Sequence, residues 1–218
     1  TVHITNYYHR NSGGISTSYN YLLDYANRNK RKIALIVPGE EDTIEKIGEF
    51  AKIYYVKAMQ SPVFDKRYRM IMPWQFMPAN TKIREILLIE KPDLVEICDK
   101  YLLSFLAAMI RKNSFKELGR PMLVHFSCER MDDNVSSFLT KSPFGKWLSR
   151  RVMGNYNISL YDFYIANSAY TASEYYESAL DENNPNRSKS FFNWAWRFFR
   201  AAKKPLAERI FVCSRGGT

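Results

Sequence analysis

Short apolar runs alternate with longer segments of helical periodicity along most of the chain. An apolar run bounded by turn residues is typical of a buried strand, whereas apolar residues spaced by three and four are typical of a helix. The runs that we predict to be strands are Val2–Thr5, Ile33–Val37, Ile53–Val56, Leu94–Ile97, Met122–Phe126 and Phe163–Ala166. A further strand is indicated at Arg209–Cys213.

The segments between these runs have the apolar spacing of helices. We predict helices over Ile15–Asn29, Ile44–Phe50, Lys82–Lys91, Leu102–Lys112, Val135–Met153 and Ala172–Leu180, with irregular structure over Ala58–Ala79 and Asp181–Lys189. Strands that alternate with helices in this way indicate an α/β protein, with a Rossmann-like parallel sheet and helices on both faces. We expect residues 1–218 to form a single Rossmann-like domain.

Composition narrows the range of partners. The chain has 218 residues and 46% hydrophobic content, enough to bury a core, and its formal net charge of +10 favours anionic partners. The three cysteines have no metal-ligand spacing, which favours a reducing, cytoplasmic location. No stretch approaches the roughly 20 apolar residues that a bilayer span needs, so we expect no membrane crossing.

The stretch "YYHRNSGGIS", residues 7–16, lies between the first strand and the first helix. Ligands of parallel α/β sheets collect at the carboxyl ends of strands, next to helix N-termini. Gly13 and Gly14 lack a Cβ, so backbone N–H groups there could approach a phosphate that the helix N-terminus favours. The alternative is an ordinary tight turn, because the stretch matches neither the dinucleotide fingerprint nor the P-loop.

The order of a first strand, "GGIS", "KPDLVEICD", "PMLVHFSCE" and "YDFYIANSAYTASEY" resembles the N-terminal domain of family-4 retaining glycosyltransferases of the GT-B type. The likeness extends over nearly the whole chain, and "RIFVCSRGGT" is similar to the segment that precedes the family's interdomain linker. The resemblance implies transfer of a sugar from a UDP- or GDP-sugar with retention, without a cofactor or metal. It also implies that Gly13, Gly14 and Ile15 lie over the donor diphosphate.

In that family a second Rossmann-like domain holds the nucleotide-sugar and carries a pair of glutamates. The 218 residues contain no such second half, so we expect the chain to be the acceptor-binding half of the enzyme and nearly inactive alone. The missing C-terminal domain is then a partner of this one.

The resemblance also implies roles for residues near the cleft. His125, Ser127 and Glu129, in "HFSCE" around the end of the fifth strand, match the catalytic region. A lone strand histidine is alternatively a core residue. For a phosphorylated or lipid-linked acceptor, as in cell-envelope polysaccharide or glycolipid biosynthesis, the candidate residues are Tyr7, His9, Arg10, Arg67 and Arg69.

Two segments combine aromatic and basic residues. In "SFFNWAWRFFRAAKK" a helix over about residues 190–205 would align Asn193, Arg197, Arg200 and Lys204 as a polar stripe. We predict that it contacts an anionic membrane surface on the cytoplasmic side through Phe191, Trp194, Trp196, Arg197, Phe198 and Arg200. The alternative is packing against the sheet or the missing domain. "SSFLTKSPFGKWLSRRVM" is a weaker candidate, interrupted near Pro143.

Two other functions fit the same composition. A basic, aromatic α/β domain could bind nucleic acid, although the chain has no recognised nucleic-acid motif and we expect no such partner. The chain could also be half of another sugar-phosphate enzyme, such as an epimerase, because a fold does not fix a function. Salt-sensitive binding to single strands, compared with binding to anionic vesicles, separates the first alternative from our hypothesis.

Overall fold

The structure, a computed structural model, describes residues 1–9, 13–61, 68–138, 142–182 and 206–213. The described strands form a mostly parallel eight-stranded sheet flanked by helices. This confirms the predicted α/β, Rossmann-like class. The chain comprises two units, Thr1–Met122 and Leu123–Thr218.

In the first unit the sheet is built around the strand nearest the N-terminus. Its strands have the order β7-β1-β2-β4-β3, and β1 pairs in parallel with both β2 and β7. All three residues of β1 are buried, as expected for a central strand covered on both faces. The strands are β1 (Val2–Ile4), β2 (Ile33–Gly39), β3 (Thr43–Ile47), β4 (Ala51–Lys57) and β7 (Leu94–Ile97), with a separate antiparallel pair β5 (Met59–Gln60) and β6 (Arg69–Met70).

Three α-helices accompany these strands, namely α1 (Gly14–Arg28), α2 (Lys82–Glu90) and α3 (Ser104–Arg111). Short 3-10 turns lie at Pro73–Gln75 and Lys116–Leu118. The inner face of α1 buries Tyr19, Leu23 and Ala26, and the Tyr19 hydroxyl donates a 2.8 Å hydrogen bond to the buried carboxylate of Glu96 on β7. This bond holds α1 against β7, which is a neighbour of β1 in the sheet.

The described part of the second unit has three strands in the order β10-β9-β8, all parallel. They are β8 (Met122–Ser127), β9 (Phe163–Ala166) and β10 (Ile210–Val212), and the last confirms the additional strand predicted near Arg209–Cys213. The helices are α4 (Met131–Phe138), α5 (Pro143–Val152), α6 (Ile158–Leu160) and α7 (Ala169–Glu182), with a π-helical turn at Met153–Asn157.

The prediction of a helix over Ile44–Phe50 was wrong. The segment contains β3, which runs antiparallel to β4. Gly48, with φ of +71°, forms the turn between the two strands, a conformation that residues with a Cβ rarely adopt. Ile44 is 56% exposed, because β3 lies at an edge of the sheet and buries little on either face.

Two other segments differ from the predictions. Val135–Met153 is not one helix, since α4 begins earlier, at Met131, and α5 starts separately at Pro143. Ser142 is extended, with ψ of 151°, because a residue before proline is disfavoured from helical geometry. Ala58–Ala79, predicted to be irregular, contains the β5–β6 pair and a 3-10 turn.

Candidate functional site

The strongest candidate site lies where β1 ends and α1 begins. The carboxyl ends of β1, β2 and β7 lie at one edge of the sheet because these strands are parallel. Gly13 is the N-cap of α1, with φ of +88° and ψ of 150°, which only glycine adopts readily. No described atom lies within 4 Å of where a Cβ would stand on Gly13 or Gly14. The backbone of the first turn is therefore accessible from that side.

The loop before Gly13 contacts α1 at two points. The backbone N–H of His9 donates to the hydroxyl of Ser16 at 2.8 Å, and the hydroxyl of Tyr8 donates to the side-chain carbonyl of Asn20 at 2.9 Å. These bonds hold the described part of the loop along the first turns of the helix. Gly13 and Gly14 remain exposed to solvent.

Other helices that follow strands have acceptors of their own at the start. Asp99 accepts the N–H groups of Tyr101, at 2.7 Å, and Leu103 in the turn that leads into α3. Glu174, 1% exposed, accepts the N–H groups of Met131, at 2.5 Å, and Asp132 at the start of α4. A carboxylate from the protein thus occupies the position that an external anion would take.

At the start of α7, side-chain hydroxyls accept backbone N–H groups. Ser168 accepts the N–H of Thr171, and the Thr171 hydroxyl accepts the N–H of Ser168, each at 3.2 Å. The N-cap of α1, by contrast, has no side-chain hydrogen bond among the described residues, and its first turn contains no acidic residue. Among the described residues, the first turn of α1 has no side-chain acceptor, so its backbone N–H groups are a candidate site for an external anion.

A buried polar contact behind the glycine loop was missed in the sequence. The Asn6 side-chain N–H donates to the Asp99 carboxylate at 2.8 Å, and its carbonyl accepts the backbone N–H of Ile71 at 2.8 Å. Asn6 is 2% exposed and Asp99 is 1% exposed. The contact joins the ends of β1 and β7 to the segment after β6. Its only sequence signal was a short polar residue two positions after the end of each of two buried strands.

The predicted acceptor residues of the first unit have different surroundings. The backbone N–H of Tyr7 donates to the Thr5 hydroxyl at 3.0 Å, and the His9 ring lies edge-on to that of Tyr68, with centroids 6.1 Å apart. The guanidinium of Arg69 donates to the Ala58 carbonyl at 2.9 Å and to the Glu40 carboxylate at 2.8 Å. In this structure the Arg69 guanidinium is therefore engaged by the protein itself, next to the β5–β6 pair. Arg10 and Arg67 lie outside the described residues.

The three predicted catalytic residues lie at the end of β8 in the second unit. His125 is 1% exposed, and its ring is surrounded by those of Tyr161, Tyr164 and Tyr175, with centroids 5.0, 6.4 and 6.3 Å away. Burial raises the pKa of Tyr175 well above its ordinary value. These are the surroundings of a core residue, and a catalytic role for His125 stays a prediction.

Ser127 is also fully buried, and its hydroxyl donates to the backbone carbonyl of Glu129 at 3.3 Å. Glu129 itself is half-buried. Their proposed roles in sugar transfer are likewise predictions.

The predicted membrane contacts at Phe191, Trp194, Trp196, Arg197, Phe198 and Arg200 lie outside the described residues. Within the described ranges, no helix has both the length and the apolar character needed to span a bilayer. The same ranges contain no group of three His, Cys, Asp or Glu side chains arranged to bind a metal.

No protein-family model matches the chain, and a search of curated proteins finds no significant match. Function is therefore inferred from the fold and from the geometry of the site.

Proposed function

We propose that the chain is the acceptor-binding half of a retaining glycosyltransferase, which transfers a sugar from a nucleotide-sugar to a phosphorylated or lipid-linked acceptor. The observation that carries the proposal is the start of α1. It combines a positive-φ glycine with two glycines that have, among the described residues, open space beside them and no capping side chain, at the carboxyl end of a central parallel strand. The sequence resemblance implies that the donor diphosphate would lie at this position.

The chemistry assigned to α1 is electrostatic. In the transition state of sugar transfer, negative charge develops on the departing diphosphate. The backbone N–H groups of Gly14 and Ile15 and the dipole of α1 would stabilise that charge without reorganising. The second domain would supply the nucleotide and sugar contacts, and positioning of donor against acceptor would supply much of the remaining rate enhancement.

The acceptor is proposed to bind beside the glycine loop. Tyr7 is connected to the end of β1 through Thr5, and the segment after β6 through Asn6, while the His9 ring contacts that of Tyr68 just before β6. A phosphorylated acceptor fits these surroundings because the chain is basic overall. Membrane association of the whole enzyme, predicted from the residue 190–205 segment, belongs to this proposal.

Nuclear magnetic resonance titration of the 218-residue chain tests the anion site. With amides assigned, we expect UDP, GDP and their sugar conjugates to shift the signals of Gly13, Gly14 and Ile15, because their N–H groups would approach the diphosphate. Uridine, which lacks phosphate, should leave them unchanged. Shifts confined to other helix starts, or equal shifts with uridine, would contradict the assignment.

Matched glycine variants separate the site from backbone strain. Gly119 also has positive φ, +73°, and no described atom within 4 Å of a built Cβ, so Gly13→Ala and Gly119→Ala carry similar strain, on the order of 1 to 3 kcal/mol. We expect Gly13→Ala to weaken UDP binding at least about tenfold, which corresponds to a loss of roughly 1.4 kcal/mol of binding free energy. Gly119→Ala should leave UDP binding unchanged.

A third variant, Gly14→Ala, avoids strain altogether because Gly14 is helical and its φ lies outside the left-handed region. It should retain or raise the midpoint of thermal unfolding, since alanine is the better helix former. The added methyl group would still obstruct the diphosphate. Unchanged UDP affinity in both Gly13→Ala and Gly14→Ala would remove the glycine loop from the proposed function.

A further inference from the structure

Helix α5 has its small residues inside and its large apolar residues outside. Its buried positions are Gly145 and Ser149, and the Ser149 hydroxyl donates to the Gly145 carbonyl at 2.9 Å. In a helix that serves only the core, the large apolar side chains face inward. The small inner residues of α5 contribute little apolar burial, so its larger apolar residues are directed away from the unit.

The outer face of α5 is apolar and partly pre-organised. Phe144, Trp147 and Leu148, at the helical spacing of three and four, are 63%, 48% and 40% exposed. The rings of Phe144 and Trp147 stack with centroids 5.5 Å apart. Such a cluster of exposed large apolar side chains marks an interaction surface more often than isolated exposed residues do.

Basic residues border this apolar face. Lys146 is exposed, and the guanidinium of Arg151 lies 5.1 Å from the centroid of the Trp147 ring. Arg150 shares the Glu177 carboxylate of α7, at 3.1 Å, and α5 itself contains no acidic residue. The surface formed by Phe144, Lys146, Trp147, Leu148 and Arg151 thus combines aromatic rings with positive charge along a helix that has no acidic residue of its own.

We propose that this α5 surface binds the headgroup layer of an anionic lipid bilayer, with the helix lying parallel to the membrane plane. Tryptophan and phenylalanine partition into the interface between headgroups and acyl chains, and lysine and arginine are attracted to anionic lipids. The charge on the helix is complementary to such a surface. The inference adds a contact surface to the membrane association that is part of the proposed function, but it rests on α5 alone and does not require that the chain bind a nucleotide-sugar.

Fluorescence of Trp147 as the sole tryptophan tests the contact directly. The chain has three other tryptophans, Trp74, Trp194 and Trp196, which are replaced by phenylalanine in a single reporter variant. With vesicles of phosphatidylcholine and phosphatidylglycerol at 3:1, we expect a blue shift of Trp147 emission and quenching by brominated lipid. Pure phosphatidylcholine should produce much smaller changes.

The reporter also distinguishes other occupants of the surface. Without vesicles, acrylamide should quench Trp147 efficiently, because the side chain is about half exposed. Strong shielding before lipid is added would mean that protein, such as residues 191–199 or a second copy, covers the face. That result, or the absence of any response of Trp147 to anionic vesicles, would overturn the proposal.

Variants with matched controls provide a second measurement. In vesicle sedimentation at about 50 mM salt, Phe144→Ser with Trp147→Ser should weaken binding at least about fivefold. The control variant, Tyr21→Ser with Tyr25→Ser, replaces two residues of α1 that are 70% and 56% exposed. It should change vesicle binding less than twofold. Circular dichroism confirms that both variants are folded.

The electrostatic contribution to vesicle binding is tested with two double variants that have the same net charge. Lys146→Gln with Arg151→Gln is compared with Lys116→Gln and Arg120→Gln, two exposed positions elsewhere in the chain. Each basic residue at an anionic surface contributes about fivefold in affinity, so the α5 pair should lose at least about tenfold and the control pair far less. Equal losses would show only a response to total charge and would contradict an α5 contact.

Discussion

Arg130 is the most highly connected cation among the described residues of the second unit. It donates two hydrogen bonds to Asp132, at 2.9 and 2.8 Å, and others to Ser173 and Glu177. It also lies over the ring of Tyr170, 4.9 Å from the centroid. Its side chain is 6% exposed, so the network connects α4 with α7 in a low-dielectric environment.

We expect Arg130→Met to lower the free energy of unfolding by about 3 kcal/mol, because it leaves the carboxylate of Asp132 buried without its cation. The control is Arg150→Met. Arg150 binds the same Glu177 oxygen from a side chain that is 38% exposed, so its loss should cost below about 1 kcal/mol. Urea unfolding followed by circular dichroism measures both, and equal costs would contradict the role assigned to burial.

The pH dependence of the same variant gives a second readout. Burial is the largest single influence on the pKa of Asp132 and raises it, but the hydrogen bonds and charge of Arg130, the backbone N–H of Asp133 and the charge of Arg150 together leave that pKa below its ordinary value. Hydrogen bonds from Arg130 also lower the pKa of Glu177. Carboxylates with lowered pKa stabilise the fold above their unfolded pKa, and this contribution is lost as pH falls through the folded pKa.

In Arg130→Met we expect the carboxylate of Asp132 to have a raised pKa instead, because burial, the largest influence, would be opposed only by the backbone N–H of Asp133 and the charge of Arg150. The destabilisation relative to the parent chain should therefore be largest near pH 7 and should shrink as the pH is lowered toward 3. A difference that stays constant over this range would show that lost packing, rather than lost charge pairing, causes it.

At the scale of elements, the β3–β4 hairpin depends on one side chain of α1. The Asn27 amide donates to the Ile47 carbonyl at 2.6 Å, and its carbonyl accepts the Phe50 N–H at 2.9 Å. A Cβ on Gly48 would lie 2.6 Å from the Asn27 side-chain oxygen. The turn between the strands is thus shaped by both its positive-φ glycine and the asparagine that covers it.

We expect Asn27→Ala to cost about 2 kcal/mol, since it leaves the partly buried Ile47 carbonyl and Phe50 N–H without this partner. Gly48→Ala should cost more, because backbone strain is added to the clash with Asn27. In the double variant the clash is absent, so the combined loss should be smaller than the sum by about 1 kcal/mol or more. Thermal and urea unfolding provide the four free energies, and strict additivity would contradict this account of the turn.

The contrast between predicted and missed elements has a physical basis. The strands β1, β2, β4, β7, β8 and β9 were predictable because burial on both faces requires continuous apolar runs. The edge strand β3 has no such requirement, and the spacing of Ile44 and Ile47 imitated a helix. Strands of two residues, such as β5 and β6, are too short to give any pattern.

The site was predictable in the same uneven way. Gly13 and Gly14 stood out because glycine has a local conformational meaning. The pairing of Asn6 with Asp99 joins residues 93 positions apart, and no local pattern specifies it. Whether a polar residue caps a helix, as Glu174 does for α4, likewise depends on a tertiary contact between distant segments.

At the scale of the whole molecule, the net charge of +10 predicts attraction to any polyanion. We expect a single-stranded oligonucleotide such as dT20 to bind weakly at about 50 mM salt and to dissociate by about 300 mM, because counterion release would be its main driving force. Fluorescence anisotropy measures this. Binding that persists at 300 mM salt, together with no response to anionic vesicles, would favour a nucleic-acid-binding module instead.

Asn6 has a consequence for how the candidate site responds to an incoming molecule. One end of its amide is committed to the segment after β6, and the other to the carboxylate that precedes α3. Neither segment can shift by an ångström without stretching a bond to the other through this single residue. We therefore expect a molecule that displaces one rim of the site to strain the hydrogen bonds by which Asn6 holds the opposite rim.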